Sequence, residues 1–363
     1  ALASAACALA ETGGVLIAAR CVQALGGAAT VAGAIELIAR SRGTHRAGAR
    51  LWGVAGLAGL ALGPAIGGVL TELLDWQSIF YVQIPLIALV PLALRVPGPA
   101  ERGAEGRIEP QPEIALAVIS AGLTGALFLL VVMLTEGWRY SPLEAAAVVS
   151  VMPVATVLAG RAASRLEPTR ALLASGAVAI AGGLAALGLL PEAHWGWTVA
   201  PQILVGTGIA LALPGLTDLA LGGRDAHGRR AAGTIAARHA GVVVGILLLT
   251  PIFDAQLGAE YEDVRRSGTA LLLDAPLSPG TKIALGEEIA ADVEVAEGEL
   301  PALAPAFAAV TPDPGEEPEL VALRAELEDE VDAAATHAFS PAFIIAGALA
   351  LVSVIPIALA RLR

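Results

Sequence analysis

The sequence predicts an all-α polytopic membrane protein, and three observations support this fold class. Hydrophobic residues account for 56% of the 363 residues, charged residues for only 15%, and the mean hydropathy is +0.72. A water-soluble domain of this length needs more charge to cover its surface. Apolar runs that are long enough to cross a bilayer recur along the chain, and arginines collect in alternate connections between them.

The positions of the membrane helices follow from run length, since a bilayer-spanning helix needs ~20 apolar residues. Nine runs meet this requirement: residues 13–35, 50–74, 78–95, 113–135, 142–164, 171–191, 197–221, 231–253 and 340–360. Residues 1–10 have the composition of the end of a tenth span. Because the chain begins at Ala1 within this apolar run, without Met or a basic region, we expect an amino-terminal part to be missing.

Basic residues in the short connections predict the orientation, because cytoplasmic loops are enriched in Lys and Arg. One side holds fifteen basic residues, whereas the short connections of the other side hold only Arg139. The fifteen are Arg40, Arg42, Arg46, Arg50, Arg95, Arg102, Arg107, Arg161, Arg165, Arg170, Arg224, Arg229, Arg230, Arg361 and Arg363. We therefore expect a multi-pass protein of the cell membrane with a cytoplasmic carboxyl terminus.

The net charge of −12 comes from one segment, residues 254–338. This segment contains 20 of the 34 Asp and Glu residues and only four Lys or Arg residues. The charge pattern places it outside the cell, and its acidic stretches 282–299 and 317–336, separated by a Pro-rich stretch, predict two helices. We expect a solvated extracellular cap. A role in substrate gating or partner binding is the alternative.

Residues 50–74 carry glycines at intervals of three or four, which form a stripe on one helix face. Such a stripe predicts the close approach of a neighbouring helix, and a proline within it allows the helix to bend. The alternative is ordinary small-residue packing without a further role. The stripe consists of Gly53, Gly56, Gly59, Gly63 and Gly67, and Pro64 and Gly68 directly follow two of these glycines to complete the run 59–68.

This Gly-x-x-x-Gly-Pro-x-x-Gly-Gly run resembles the antiporter signature in the fifth helix of major facilitator drug:proton antiporters. Three further segments are similar to other helices of that family. Segment 20–26 resembles the fourth-helix motif Arg-x-x-Gln-Gly-x-Gly, with Ala24 in place of its first Gly. Segment 75–85 resembles the opening of the sixth helix, with Gln83 where Asn is common, and segment 238–245 resembles part of the penultimate helix.

The resemblance implies a major facilitator bundle of twelve helices, in which the nine complete spans are helices four to twelve. Helices one and two would be absent, and residues 1–10 would end helix three. The implied regions are an amino-terminal bundle (1–95), a cytoplasmic linker (96–112), a carboxyl-terminal bundle (113–253), the acidic extracellular loop (254–338) and a last helix with a tail (339–363). The resemblance also implies proton-coupled export of small hydrophobic or cationic compounds by alternating access, in a monomer.

Four polar residues within the spans are candidates for substrate contact or proton coupling: Arg20, Gln23, Asp218 and Arg238. An ionised side chain at mid-bilayer costs at least ~2.5 kcal/mol, so it usually faces a cavity or a partner. The alternatives are an Arg20 side chain that reaches the outer membrane surface, a structural partner for Arg238 and a solvated position for Asp218.

No motif for nucleotide hydrolysis, metal binding or enzymatic catalysis occurs in the sequence. A Gly-x-x-x-x-Gly-Lys-Ser/Thr loop is absent, the five histidines lack ligand spacing, and Cys7 and Cys21 lie in apolar runs. We therefore expect neither an enzyme nor a cofactor, metal or nucleic-acid partner. The remaining alternative to a transporter is a scaffold or sensor that acts through its extracellular segment.

Overall fold

The computed structural model describes residues 1–41, 45–93, 95, 110–221, 228–295 and 303–361. Regular structure within these ranges is entirely helical, so the predicted all-α class is confirmed. Seven of the described helices are long and apolar enough to cross a membrane, and two shorter apolar segments cover Leu62–Leu73 and Ser78–Leu89. The chain is therefore a multi-pass membrane protein. Residues 96–109 of the predicted linker 96–112 lie outside the described residues.

The amino-terminal helices include one element that differs from its prediction. The helices are α1 (Leu2–Ala8), α2 (Gly13–Ser41), α3 (His45–Leu73), α4 (Ser78–Tyr81), a 3-10 helix (Ile84–Leu89) and α5 (Val90–Ala93). The predicted continuous span 78–95 is thus broken into short pieces. Pro85 and Pro91 explain the breaks, because each lacks the main-chain N–H that would continue an α-helical ladder.

The carboxyl-terminal helices include two that run far beyond their predicted spans. The membrane helices are α6 (Pro110–Val132, continued by a π-helix at Met133–Gly137), α7 (Pro142–Val149), α8 (Val151–Ala163), α9 (Arg170–Leu187), α10 (Trp195–Leu221), α11 (Gly228–Asp274), α14 (Glu317–Val352) and α15 (Val354–Leu359). Two shorter helices, α12 (Pro279–Val295) and α13 (Leu303–Ala309), lie between α11 and α14.

Small residues allow the main chains of the carboxyl-terminal helices to touch. A Cβ added to Gly241 would lie 2.0 Å from the oxygen of Ala117, and one added to Gly245 would lie 2.0 Å from the oxygen of Ala121. Only glycine fits where two helices approach this closely. The main core surrounds these contacts, and Phe343 of α14 is its largest fully buried side chain.

A second apolar core forms in the segment 254–338, which we call the cap. It consists of Leu277, Leu285, Leu303, Phe307, Val310, Leu320, Leu323, Leu327 and Val331. The parts of α11 and α14 that lie beyond their predicted spans supply two sides of the cap, and α12 and α13 close it. The cap is therefore a packed helical unit, which is more than the solvated loop that its charge alone suggests.

Candidate functional site

A polar cluster in the amino-terminal part joins three elements around the side-chain amide of Gln23. Arg20 Nη1 donates to Gln23 Oε1 at 2.6 Å, one turn away on α2. Gln23 Nε2 donates to Ser4 Oγ of α1 at 2.9 Å and to Gln83 Oε1 at 3.0 Å. The thiol of Cys7 lies 3.9 Å from Gln23 Oε1. Gln23 therefore holds α1, α2 and the segment after α4 together through hydrogen bonds.

The hydrogen bonds fix the orientation of both amides in this cluster. Gln83 Nε2 donates to the main-chain oxygen of Ile79 at 2.8 Å, so its Oε1 must face Gln23 as an acceptor. Gln23 must then present Nε2 to Gln83, which leaves its Oε1 for Arg20. If the Gln23 amide were flipped, its Nε2 donor would face the guanidinium of Arg20, which is also a donor. Hydrogen-bond donation in the cluster thus runs in one direction, from the Arg20 guanidinium through Gln23 and Gln83 to the Ile79 carbonyl.

Arg20 is held by an aromatic ring as well as by Gln23. Its guanidinium carbon lies 5.6 Å from the centroid of the Phe80 ring, within the range of a cation–π contact. Among the residues that the structure describes, Arg20 forms no ion pair with a carboxylate. Most of its N–H groups are consequently available to an acceptor that is not one of these residues.

Sequence reasoning identified only part of this cluster. It named Arg20 and Gln23 together, and the structure joins them directly. It missed Ser4, which carries no motif, and it gave no role to Phe80, although Phe80 lies in segment 75–85, which resembles the sixth-helix opening. It noted Gln83 as a departure from a common Asn, and the polar character of that position was the available signal for a hydrogen-bonding role.

The structure does not bring the other two charged candidates into the cluster. Asp218 is exposed near the end of α10, and within the described ranges it has no hydrogen bond or ion pair. Arg238 is half-buried on α11. His239 beside it forms a local hydrogen bond, with Nδ1 2.9 Å from the oxygen of Ile235. Neither charged side chain is linked to Gln23 by a contact between described residues.

The glycines of the antiporter-like run in α3 approach another element at one position, which lies beside the stripe. A Cβ added to Gly59, Gly63 or Gly67 would meet no atom of another element within 4 Å. One added to Gly68 would lie 2.6 Å from Ala146 Cβ and 2.8 Å from the oxygen of Pro142. The close approach predicted for the stripe is therefore absent at Gly59, Gly63 and Gly67 and occurs instead at Gly68, beside the stripe, where α3 contacts α7.

An apolar cavity adjoins this contact between α3 and α7. Its volume is about 190 Å³. The cavity is lined by Pro64, Gly68, Thr71, Val131, Thr135, Pro142, Ala145, Ala146 and Val149. The antiporter-like segment of α3 therefore faces residues of α6 and α7 across a space that is only partly filled.

Nothing in the described part of the chain forms a metal centre. No group of three or more His, Cys, Asp or Glu side chains among the searched residues is arranged to hold a metal ion. Cys7 is buried, Cys21 is exposed, and both are free thiols.

Comparison with known proteins identifies relatives for the amino-terminal two thirds of the chain. The sequence profile of the Major Facilitator Superfamily matches residues 1–249. The chain is 41% identical over 109 residues to the methylenomycin A resistance protein of Bacillus subtilis, which covers 28% of this chain and 23% of that protein. It is 38% identical over 92 residues to the multidrug resistance protein Stp of Mycobacterium tuberculosis, covering 24% and 17% of the two chains.

A longer match involves the drug efflux pump JefA of Mycobacterium tuberculosis. It is 30% identical over 155 residues, which are 42% of this chain and 29% of that protein. The aligned regions span less than a third of the length of each of these three relatives.

Proposed function

Since the chain belongs to the Major Facilitator Superfamily, we propose that it is a secondary active transporter that exports small hydrophobic or cationic compounds in exchange for protons. The observation that carries this proposal is the contact of Gly68 with Ala146 and Pro142. It joins the antiporter-like helix α3 of the first half to α7 of the second half. The relatives named for drug efflux and antibiotic resistance support export over the alternative of a non-transporting scaffold.

The proposed mechanism is alternating access, in which two halves of a transporter rock about a central site. Such motion requires a contact between the halves that forms in one state and separates in another. The α3–α7 contact suits this requirement because it is tight at Gly68 but leaves a cavity of about 190 Å³ beside it. A small contact area can separate at a lower free-energy cost than a continuous one.

For proton coupling, we propose that Arg20 acts through its charge. A guanidinium stays protonated, but it lowers the pKa of any carboxylic acid that comes close and so promotes release of its proton. Gln23 and Phe80 hold the Arg20 side chain in place for this role. Asp218 and Arg238 remain proposed contributors in the second half.

The proposed setting is the cell membrane, with a monomer whose carboxyl terminus is cytoplasmic and whose cap is extracellular. The arginines in alternate connections support this orientation. A substrate would then leave on the side of the cap.

The proposal can be tested by efflux of a fluorescent lipophilic cation from pump-deficient cells that express the full-length gene. We expect efflux that a protonophore abolishes. Arg20→Gln should remove most of it at unchanged expression, because the charge is lost while a polar side chain remains. Arg165→Gln, at an exposed position after α8, is the matched control. Efflux that equals the empty vector would exclude this cation as a substrate, and efflux insensitive to the protonophore would exclude proton coupling.

A further inference from the structure

The two helices that carry the cap are continuous with membrane helices. α11 is a single helix of 47 residues, and α14 is one of 36 residues. The ~20 residues of α11 beyond its predicted span correspond to about 30 Å of helix. Each helix contains a proline near the predicted membrane boundary, Pro251 in α11 and Pro341 in α14, but helical structure continues through both. The cap and the membrane-spanning parts therefore belong to the same two helices.

Side-chain contacts fasten α11 to α14 at two levels. Within the cap, Ser267 Oγ donates to Glu330 Oε1 at 2.7 Å. Nearer the membrane, the rings of Phe253 and Phe339 stack with centroids 4.2 Å apart. The pair of helices is therefore fixed both at the cap and at its base.

Glu316 closes the cap by tying the start of α14 to the start of α12. Its carboxylate accepts from the main-chain N–H of Ser278 at 2.5 Å and from Thr281 Oγ1 at 2.7 Å. It also accepts from the N–H of Asp313 at 3.3 Å. One ionised side chain thus accepts hydrogen bonds from two separate segments. Hydrogen bonds to an ionised carboxylate are stronger than those between neutral groups.

The base of the cap contacts the turn between α6 and α7. Trp138 Nε1 donates to Thr336 Oγ1 of α14 at 3.0 Å, and the Trp138 side chain is buried. Gly137 lies against Ala335 of the same helix. The next residue, Arg139, has a φ of 55°, a left-handed conformation that costs energy for a non-glycine residue. The turn is therefore held in a specific, strained form against α14.

The same turn leads into α7, where the two halves meet. Ser141 caps α7 together with Glu144, and the next residue, Pro142, contacts Gly68 of α3. Only three residues lie between Trp138 and Pro142. Glu316 is accordingly connected along α14 to Thr336, and from Thr336 through Trp138 and the following turn to the α3–α7 contact.

We propose that the cap is a brace that keeps the outer parts of α11 and α14 together and, through the Trp138–Thr336 hydrogen bond, sets the position of the α6–α7 turn. The cap then moves with α7 when α7 separates from α3. The consequence for transport rests on the proposed function, whereas the mechanical coupling does not.

Hydrogen–deuterium exchange of the purified full-length protein tests the coupling without any substrate. Glu316→Ala should speed exchange at the start of α12 and also in residues 133–141, since the loosened α14 no longer holds the turn. Glu317→Ala, an exposed neighbour, is the matched control and should change neither region. Faster exchange that stays confined to the cap would overturn the proposal.

Removal of the connecting hydrogen bond gives a second measurement. Trp138→Phe keeps an aromatic ring but loses the N–H, and Thr336→Val keeps the volume but loses the acceptor. Either variant should speed exchange in residues 133–141 at least about threefold, and the double variant should add little to the larger single effect. Additive effects, or no effect in either variant, would show that this hydrogen bond does not hold the turn.

Cross-links test the consequence for transport. In a protein with the exposed Cys21 replaced by Ala, a short bifunctional thiol reagent that forms disulfides bridges Ser267→Cys to Glu330→Cys, or Thr71→Cys of α3 to Ala145→Cys of α7, which both line the cavity. The brace predicts that the first bridge leaves efflux within about twofold, whereas the second stops it until a reductant is added. Reversible block by the first bridge would overturn the brace. Absence of efflux before bridging would instead count against the proposed function and leave the exchange experiments to decide on the brace.

Discussion

A Cβ added to Gly245 of α11 would lie 2.0 Å from a main-chain oxygen of α6, whereas one added to Gly63 or Gly67 of α3 would meet no other element within 4 Å. A Cβ added to Gly68 would lie 2.6 Å from Ala146 Cβ, 2.8 Å from the oxygen of Pro142 and 3.3 Å from Leu143 Cα. The two glycine-rich helices therefore differ in how much of their length makes close contact. α11 approaches the main chain of α6 at both Gly241 and Gly245, whereas α3 makes a close approach at Gly68 and none at Gly63 or Gly67.

This difference has a physical meaning for a transporter. Helices that pack through their main chains lose many contacts if they separate, so the α6–α11 pair is expected to move as a unit. Across the α3–α7 contact, a cavity already separates part of the surfaces, and fewer contacts are lost on separation. Substitutions at the two kinds of contact should consequently affect different properties.

The largest expected effect is at Gly245. Gly245→Leu would force α11 away from α6 and should destabilise the protein by about 3 kcal/mol or more, since the main chain of Ala121 cannot yield to a side chain. Thermal unfolding in detergent, followed by size-exclusion chromatography, measures the loss. The control is Gly258→Ala on the same helix, where a Cβ meets no other element. A Gly245→Leu protein as stable as this control would refute the fixed pair.

At Gly68 the expected effect is on transport more than on stability. Gly68→Ala places a Cβ against Ala146 and disfavours the state in which α3 and α7 touch, by about 1 kcal/mol or more. Efflux should fall about fivefold or more, because one state of the cycle is less populated. The adjacent Gly67→Ala, in open space, is a matched control that should retain efflux. Equal losses in both variants would point to the helix itself and not to the contact.

Part of this comparison could be predicted from the sequence. Periodicity and composition gave the helices, and the motifs placed Arg20 near Gln23 and identified the segment with Gly68. The openness around Gly59, Gly63 and Gly67 could not be predicted, because a spacing of small residues shows which face can be approached and not which helix approaches it. The cap core could not be predicted either, since the high charge of residues 254–338 conceals apolar residues such as Leu285 and Phe307 that become buried together.

A smaller effect is expected in the polar cluster. Gln83→Leu removes one acceptor from Gln23, so the side-chain amide of Gln23 is free to turn away from Arg20. The loss of one hydrogen bond of this kind is worth about 1 kcal/mol, so the efflux rate should fall about fivefold with little change in thermal stability. Gln256→Leu, which removes a local hydrogen bond to Glu260, is the control. If Gln83→Leu lowered the free energy of unfolding by as much as the fall in efflux rate represents, Gln83 would have a purely structural role.

The smallest expected effect at neutral pH concerns the cap, where hydrogen bonds to the carboxylate of Glu316 join the segments and close main-chain packing does not. Hydrogen bonds from Thr281, Ser278 and Asp313 hold the pKa of Glu316 below its ordinary value of 4.5. A lowered pKa in the folded state means that the ionised form stabilises the cap above pH 4.5, and that this contribution is lost as the pH falls through the lowered pKa. Exchange at the start of α12 should therefore change little between pH 7 and pH 5, after correction for the intrinsic exchange rate, and should rise as the pH falls below 4.5 and through the lowered pKa of Glu316. Glu316→Gln should lack the part of this rise that comes from its own ionisation, whereas Glu317→Gln should retain it. If Glu316→Gln keeps the full pH dependence of exchange, other carboxylates hold the cap closed. The comparison between the closely packed α6–α11 pair and the cap would then no longer rest on Glu316.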